Sequence, residues 1–99
     1  MLHIVNKSPW ERNALDTCLR LATKGSAVLL IEDAVYAATK GSAVSAKVQA
    51  AMANLKVYAL APDMEARGVA GRVMEGVNLV DYNGFVDLVA EHSNCQSWL

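Results

Sequence analysis

The sequence predicts an α/β fold, a small layered domain with a mostly parallel sheet flanked by helices. The first observation behind this is the stretch Ala27-Val28-Leu29-Leu30-Ile31, five consecutive apolar residues that run into Glu32-Asp33. A strand with one buried face alternates apolar and polar residues, whereas one covered on both faces, as in a parallel sheet, does not. The second is the alternation of short strand-like runs with longer helical patterns along the chain, the order that gives βαβ units. The third is bulk composition. The 99 residues are 54% hydrophobic and 19% charged, enough for one domain, 1–99, with a core.

Leu2-His3-Ile4-Val5 reads as the first strand. Ser8-Pro9-Trp10-Glu11 then carries helix-start chemistry, with Ser8 as N-cap, Pro9 at the first helical position and Glu11 closing a capping box. The helix is expected to reach about Thr23. At about 100° per residue, Trp10, Ala14, Leu15, Cys18, Leu19, Leu21 and Ala22 share one half of its wheel. Gly25 suits a left-handed closing residue. After the central strand, Asp33 is expected to cap a short helix from Ala34 to Thr39.

Ala22-Thr23-Lys24-Gly25-Ser26-Ala27-Val28 recurs residue for residue at Ala38-Thr39-Lys40-Gly41-Ser42-Ala43-Val44. Each copy reads as a helix end closed by Gly, leading into a strand in the first case and a helix in the second. Lys-Gly-Ser reverses the order of a P-loop and lacks its upstream glycine, so no phosphate site is indicated. Ser42 is expected to cap a helix to about Ala53, with Val44, Val48, Ala51, Met52 and Leu55 on its apolar side. Lys56-Val57-Tyr58-Ala59-Leu60 is the next strand. Pro62 to Arg67 forms a short helix or turn closed by Gly68, and Val77-Asn78-Leu79-Val80 a fourth strand. Asp81 caps a helix from Tyr82 to about Glu91, with Phe85, Val86, Leu88 and Val89 inward. Gln96-Ser97-Trp98-Leu99 ends as an extended tail whose Trp98 docks on the core or on a partner.

The net charge of −1, without a basic cluster, argues against direct nucleic-acid binding. Nothing reads as a signal peptide or a membrane span. Two cysteines, Cys18 and Cys95, make no disulfide framework, which suits a reducing cytoplasm. Neither His3 nor His92 has a metal-ligand neighbour at useful spacing, so no metal or cofactor is expected. Glu32 and Asp33 stand where open α/β sheets place their sites. A paired-carboxylate site there would want further ligands, and the favoured reading is a helix cap beside a solvated acid. Cys18 lies near the middle of the apolar arc of its helix, which favours a buried, inert thiol. In an oligomer that arc can be partly interface and open a cysteine into a groove.

Taken together, these residues resemble the DsrH/TusB family, the small subunit of the DsrEFH and TusBCD sulfur-relay complexes. The resemblance runs essentially end to end. Its carriers are Leu2-His3 with Ser8-Pro9-Trp10, the strand ending in Glu32-Asp33, Val57-Tyr58-Ala59-Leu60, Asp63 with Ala66-Arg67-Gly68, Asp81-Tyr82 with Phe85-Val86 and Leu88, and Gln96 with Trp98. It implies a Rossmann-like, DsrEFH-like fold and a heterohexamer with two homologous partners, a DsrE/TusD-like and a DsrF/TusC-like subunit. It implies a cytoplasmic complex that passes persulfide sulfur between cysteines to a small carrier protein, either in sulfur oxidation or in tRNA wobble-uridine 2-thiolation. The principal sulfur-carrying cysteine resides on the DsrE/TusD-like subunit. Asn6-Lys7-Ser8-Pro9, Glu11-Arg12-Asn13 and Cys18-Leu19 look like the DsrH branch, where a first-helix cysteine is common.

Three roles follow as expectations. Cys18 can be a secondary persulfide carrier, a role that needs an accessible thiolate. The chain can instead be a structural scaffold subunit whose partner supplies the chemistry. Thirdly, it can be a free-standing small-ligand-binding α/β domain that uses the Glu32-Asp33 end of the sheet.

Overall fold

The structure, a computed structural model, describes residues 1–8, 14–42, 44–92 and 94–98. Among these residues five strands form one sheet: β1 (Leu2–Val5), β2 (Ala27–Leu30), β3 (Lys56–Leu60), β4 (Asn78–Val80) and β5 (Cys95–Trp98). Their spatial order is β4-β3-β2-β1-β5, and every pairing is parallel. The helices are α1 (Ala14–Leu21), α2 (Ser45–Ala51), α3 (Ala61–Ala66) and α4 (Tyr82–Glu91), with a 3-10 helix over Glu32–Ala38.

All four residues of β2 are buried, as the unbroken apolar run requires. It lies between β1 and β3, in register Ile4↔Leu29 on one side and Leu29↔Tyr58 on the other. Strand alternation then divides the core in two. Val5, Val28, Leu30, Val57 and Ala59 face α1, the 3-10 helix, α2 and α3, and meet Leu15, Cys18, Val35, Val48 and Met64. Leu2, Ala27 and Leu29 face the other way and meet Leu88 of α4, with Ile4, Ile31, Tyr58, Val80 and Phe85 around them. Among the described residues, α4 is the one helix on that second face.

Several local expectations hold, and others are corrected. Asp81 caps α4, its Oδ1 accepting the Gly84 N–H at 2.8 Å. Gly25, Gly41 and Gly68 all take positive φ, but only Gly68 directly follows the end of a helix; α1 stops at Leu21 and the 3-10 helix at Ala38, so Gly25 and Gly41 sit in turns a few residues beyond. The Ser8-Pro9-Glu11 capping box lies outside the described residues beyond Ser8 itself. Ser42 does not cap α2. Val44 occupies that position without a side-chain bond, and Ser42 instead accepts from the backbone and hydroxyl of Ser45 through its carbonyl.

Of the residues assigned inward on α4, Phe85 and Leu88 do face the sheet. Val86 and Val89 are 65% and 40% exposed, and Tyr82 is 61% exposed. The three recur at positions i, i+4 and i+7, a stripe on the outer side of the helix. Leu21, placed on the apolar arc of the first helix, is also exposed. The C-terminal tail is a strand: Cys95–Trp98 pairs with the outer edge of β1, with Val5 opposite Trp98. Trp98 packs against the main core, as the sequence predicts for one of its two alternatives.

Candidate functional site

In a parallel sheet, the segments that leave neighbouring strands emerge at the same end. β2 ends at Leu30, opposite Ala59 and within one residue of the end of β3. The first residues of the 3-10 helix therefore sit beside the first turn of α3. Glu32 has a φ of +50, a conformation that costs a non-glycine residue about 1–2 kcal/mol. That twist turns the chain from strand into helix and aims the Glu32 N–H at α3, where Asp63 Oδ2 accepts it at 2.6 Å. One residue on, Asp33 Oδ1 accepts from Arg67 Nε at 2.9 Å. Asp63 and Arg67, one turn apart on and just beyond α3, thus hold the two acidic residues from outside.

This corrects the expected cap. The 3-10 helix begins at Glu32, with Ile31 in the N-cap position and no side-chain bond from it. Asp33 lies within the first turn and pairs with Arg67; the carboxylate that takes up an early backbone donor belongs to Asp63. Sequence spacing alone points to Asp63 and Arg67 only as a residue pair at i and i+4 after a strand. What brings them to Glu32-Asp33 is the parallel register of β2 and β3.

Chemically, the arrangement is an anchored strand-to-helix junction. Two of the carboxylates, Asp33 and Asp63, are each engaged by a donor, and Glu32 is exposed. Among the described residues, no group of three His, Cys, Asp or Glu side chains is placed to hold a metal ion.

Cys18 lies on α1 with 0% exposure, inside the main core. Burial pushes its thiol up to about 12, because a thiolate there would lose its hydration. In this geometry the sulfur has neither access to solvent nor thiolate character at neutral pH. Cys95 is exposed on the edge strand β5. His92 closes α4, its Nδ1–H donating to the Leu88 carbonyl at 2.8 Å.

The other histidine joins the two ends of the chain. His3 is buried on β1 and its Nδ1 accepts from the Trp98 indole N–H at 3.1 Å. The rings are tilted by 37° with centroids 6.1 Å apart. Burial, and to a smaller degree the chain's amino-terminal charge, lowers the His3 pKa below its ordinary value, so the neutral ring that can accept this bond is favoured.

Comparison with known proteins agrees with this architecture. The family described as DsrH like protein matches residues 7–95. Over 98 residues the chain is 40% identical to Protein TusB of Pectobacterium parmentieri, covering 99% of this chain and all of that protein. It is 38% identical to Protein TusB of Escherichia coli O81 (strain ED1a) and 37% identical to that of Shigella flexneri, at the same coverage. Among solved structures, the crystal structure of the ychN protein from E. coli superimposes with a TM-score of 0.81 at 18% identity, over 97% of both chains. The structure of MTH1491, a protein of unknown function from Methanobacterium thermoautotrophicum, gives 0.70 at 17% identity, over 97% of this chain and 95% of that one. These two likenesses show the fold, a helix-flanked parallel sheet, and with the family match it is the DsrEFH-like fold.

Proposed function

The chain belongs to the DsrH/TusB family, and from that premise we propose that it is a subunit of a cytoplasmic sulfur-relay complex, contributing interface while a partner subunit carries the principal reactive cysteine. The observation that carries this reading is the second face of the sheet. Among the described residues one helix covers it, and that helix presents Tyr82, Val86 and Val89 outward. An apolar stripe on the outside of an otherwise amphipathic helix is suited to burial against another chain. The chemistry available within this chain fits the same division of labour. Cys18 is enclosed and disfavoured as thiolate, and the carboxylates at the end of β2 and β3 hold a turn. The partners are a DsrE/TusD-like and a DsrF/TusC-like subunit in a heterohexamer, which delivers sulfur to a small carrier protein. The full-length TusB relatives favour tRNA wobble-uridine 2-thiolation as the destination of the sulfur; the first-helix cysteine favours the DsrH branch and sulfur oxidation.

Co-expression with both partner subunits, one of them tagged, tests the proposal. Co-purification followed by joint elution on gel filtration is expected. Elution of this chain as a monomer in the partners' presence overturns it and favours a free-standing ligand-binding domain. The intact mass of the chain after exposure to a persulfide donor tests the second role of Cys18. A sulfur adduct lost in Cys18→Ala makes this subunit a carrier as well, through an opening of α1.

A further inference from the structure

We propose that His3 and Trp98 form a proton-controlled latch on the C-terminal edge strand, in which protonation of His3 at Nδ1 releases the Trp98 indole and loosens β5 from β1. The bond has one possible direction. The indole N–H only donates, so at 3.1 Å His3 Nδ1 must offer a lone pair, and the ring proton of the neutral form sits on Nε2. A proton added at Nδ1 sets N–H against N–H. The bond is lost and a buried imidazolium faces a donor.

The register makes this contact matter to β5. His3 lies opposite Gln96, and Trp98 is its diagonal neighbour on the same face. Cys95, Gln96 and Ser97 are all exposed, so Trp98 is the one described residue through which β5 reaches the core. The rest of the attachment is a short backbone ladder to β1. Loosening β5 bares the outer edge of β1, whose free N–H and C=O groups suit a strand of another chain.

Few charges surround the imidazole. Among the described residues, β1 and its flanks bring the Met1 α-ammonium and Lys7, and β2 brings no titratable group. α1, packed against β1 and β5, brings Cys18, which is neutral, and the exposed Asp16 and Arg20, of which Asp16 is paired with Lys47. β5 brings the exposed Cys95. No described carboxylate lies within ion-pair reach of His3 to hold the imidazolium once formed. The lowered pKa of His3 accords with this setting.

Nuclear magnetic resonance of the full chain between about pH 8 and about pH 5 tests the latch. The Trp98 indole resonance, distinguished from that of Trp10 by Trp10→Phe, is expected to move with the titration of His3. Amide exchange at Gln96, Ser97 and Trp98, corrected for its intrinsic pH dependence, is expected to accelerate about tenfold on the acidic side while Val28 and Leu29 stay protected. His3→Gln, whose carbonyl oxygen can still accept the indole N–H, is expected to abolish the pH response, and His92→Gln to leave it intact. A Trp98 resonance that follows His92 or does not move overturns the proposal. So does a loss of protection that spreads to Val28 and Leu29 in step. Should His3→Gln fail to fold, the titration of the unaltered protein decides alone.

Discussion

The carboxylate of Asp63 accepts the backbone N–H of Glu32, thirty-one residues earlier in the chain, at 2.6 Å. The bond joins the ends of two adjacent strands and compensates a residue twisted into the left-handed region. Removing the acceptor leaves that donor unpaired by protein and the turn unsupported. Asp63→Ala is expected to lower stability by about 1–2 kcal/mol, read from urea denaturation. In Glu32, the φ of +50 predicts different responses to two substitutions. Glu32→Val is expected to cost about 1–2 kcal/mol, and Glu32→Gly to change stability by less than about 0.5 kcal/mol, as relieved strain offsets the extra freedom of the unfolded chain.

Cys18 and Cys95 are expected to separate cleanly under alkylation. Native protein takes one label, at Cys95, and the second appears only on unfolding, because Cys18 is enclosed and its thiol is pushed up to about 12. Cys18→Ser is expected to destabilise the chain by about 1–3 kcal/mol by burying a hydroxyl. Peptide mapping and denaturation midpoints check the two outcomes. Cys18→Ala is the better control for sulfur-transfer experiments for the same reason.

The two sides of α4 are expected to respond differently to substitution. Leu88 is buried against the sheet, and Leu88→Ala should cost about 2–5 kcal/mol. Val86→Lys on the outer side should change the stability of the isolated chain by less than about 0.5 kcal/mol. In the co-purification experiment the same variant is expected to lose its partners. Retention of assembly by Val86→Lys and Tyr82→Lys would remove α4 from the interface.

Gly84, in the first turn of α4, gives a prediction contrary to helix propensity. An alanine usually stabilises a helix interior by about 1 kcal/mol relative to glycine. Here a Cβ would stand 2.9 Å from Cβ of Val80, at the end of β4. Gly84→Ala is therefore expected to lower the melting temperature, and Gly84→Ala combined with Val80→Ala to recover part of the loss.

Stability is expected to fall in mild acid through His3. Its folded-state pKa is depressed, so below the ordinary value of 6.5 the unfolded chain binds more protons than the folded one. The contribution is fully present above that value and is lost as the pH falls through the lower, folded-state pKa. Urea midpoints measured across this window should decline for the native sequence and decline less for His3→Gln.

Much of the architecture was legible because it follows from local pattern. The apolar run of β2 demanded two covered faces, and Asp81 sits directly before the helix it caps. The departures arise where the partner is distant in sequence. Cys95-Gln96-Ser97-Trp98 lacks the alternation or β-branched content of a strand, and becomes one because the outer edge of β1 is there to pair with. In sequence Glu32 and Asp33 read as a self-contained cap, yet their partners Asp63 and Arg67 stand on and just beyond α3, brought alongside by strand register. The sequence pattern places Val86 and Val89 inward because apolar residues usually are. Among the described residues α4 is the one helix on its face of the sheet, so it need bury only one side of itself there, and Phe85 and Leu88 suffice.

The pairing of β5 with β1 also bears on how the protein is made. Leu2 stands opposite Cys95, so β1 waits for β5 before its outer edge is filled. β1 through β4 can assemble in the order of their synthesis, each beside its predecessor. The closing step cannot begin until β5 has emerged, and it joins residues at the greatest sequence separation in the sheet, a slow class of event. Until that step the folding chain carries an open edge on β1 as well as the one on β4, which makes the span before closure its time of greatest exposure to misassociation.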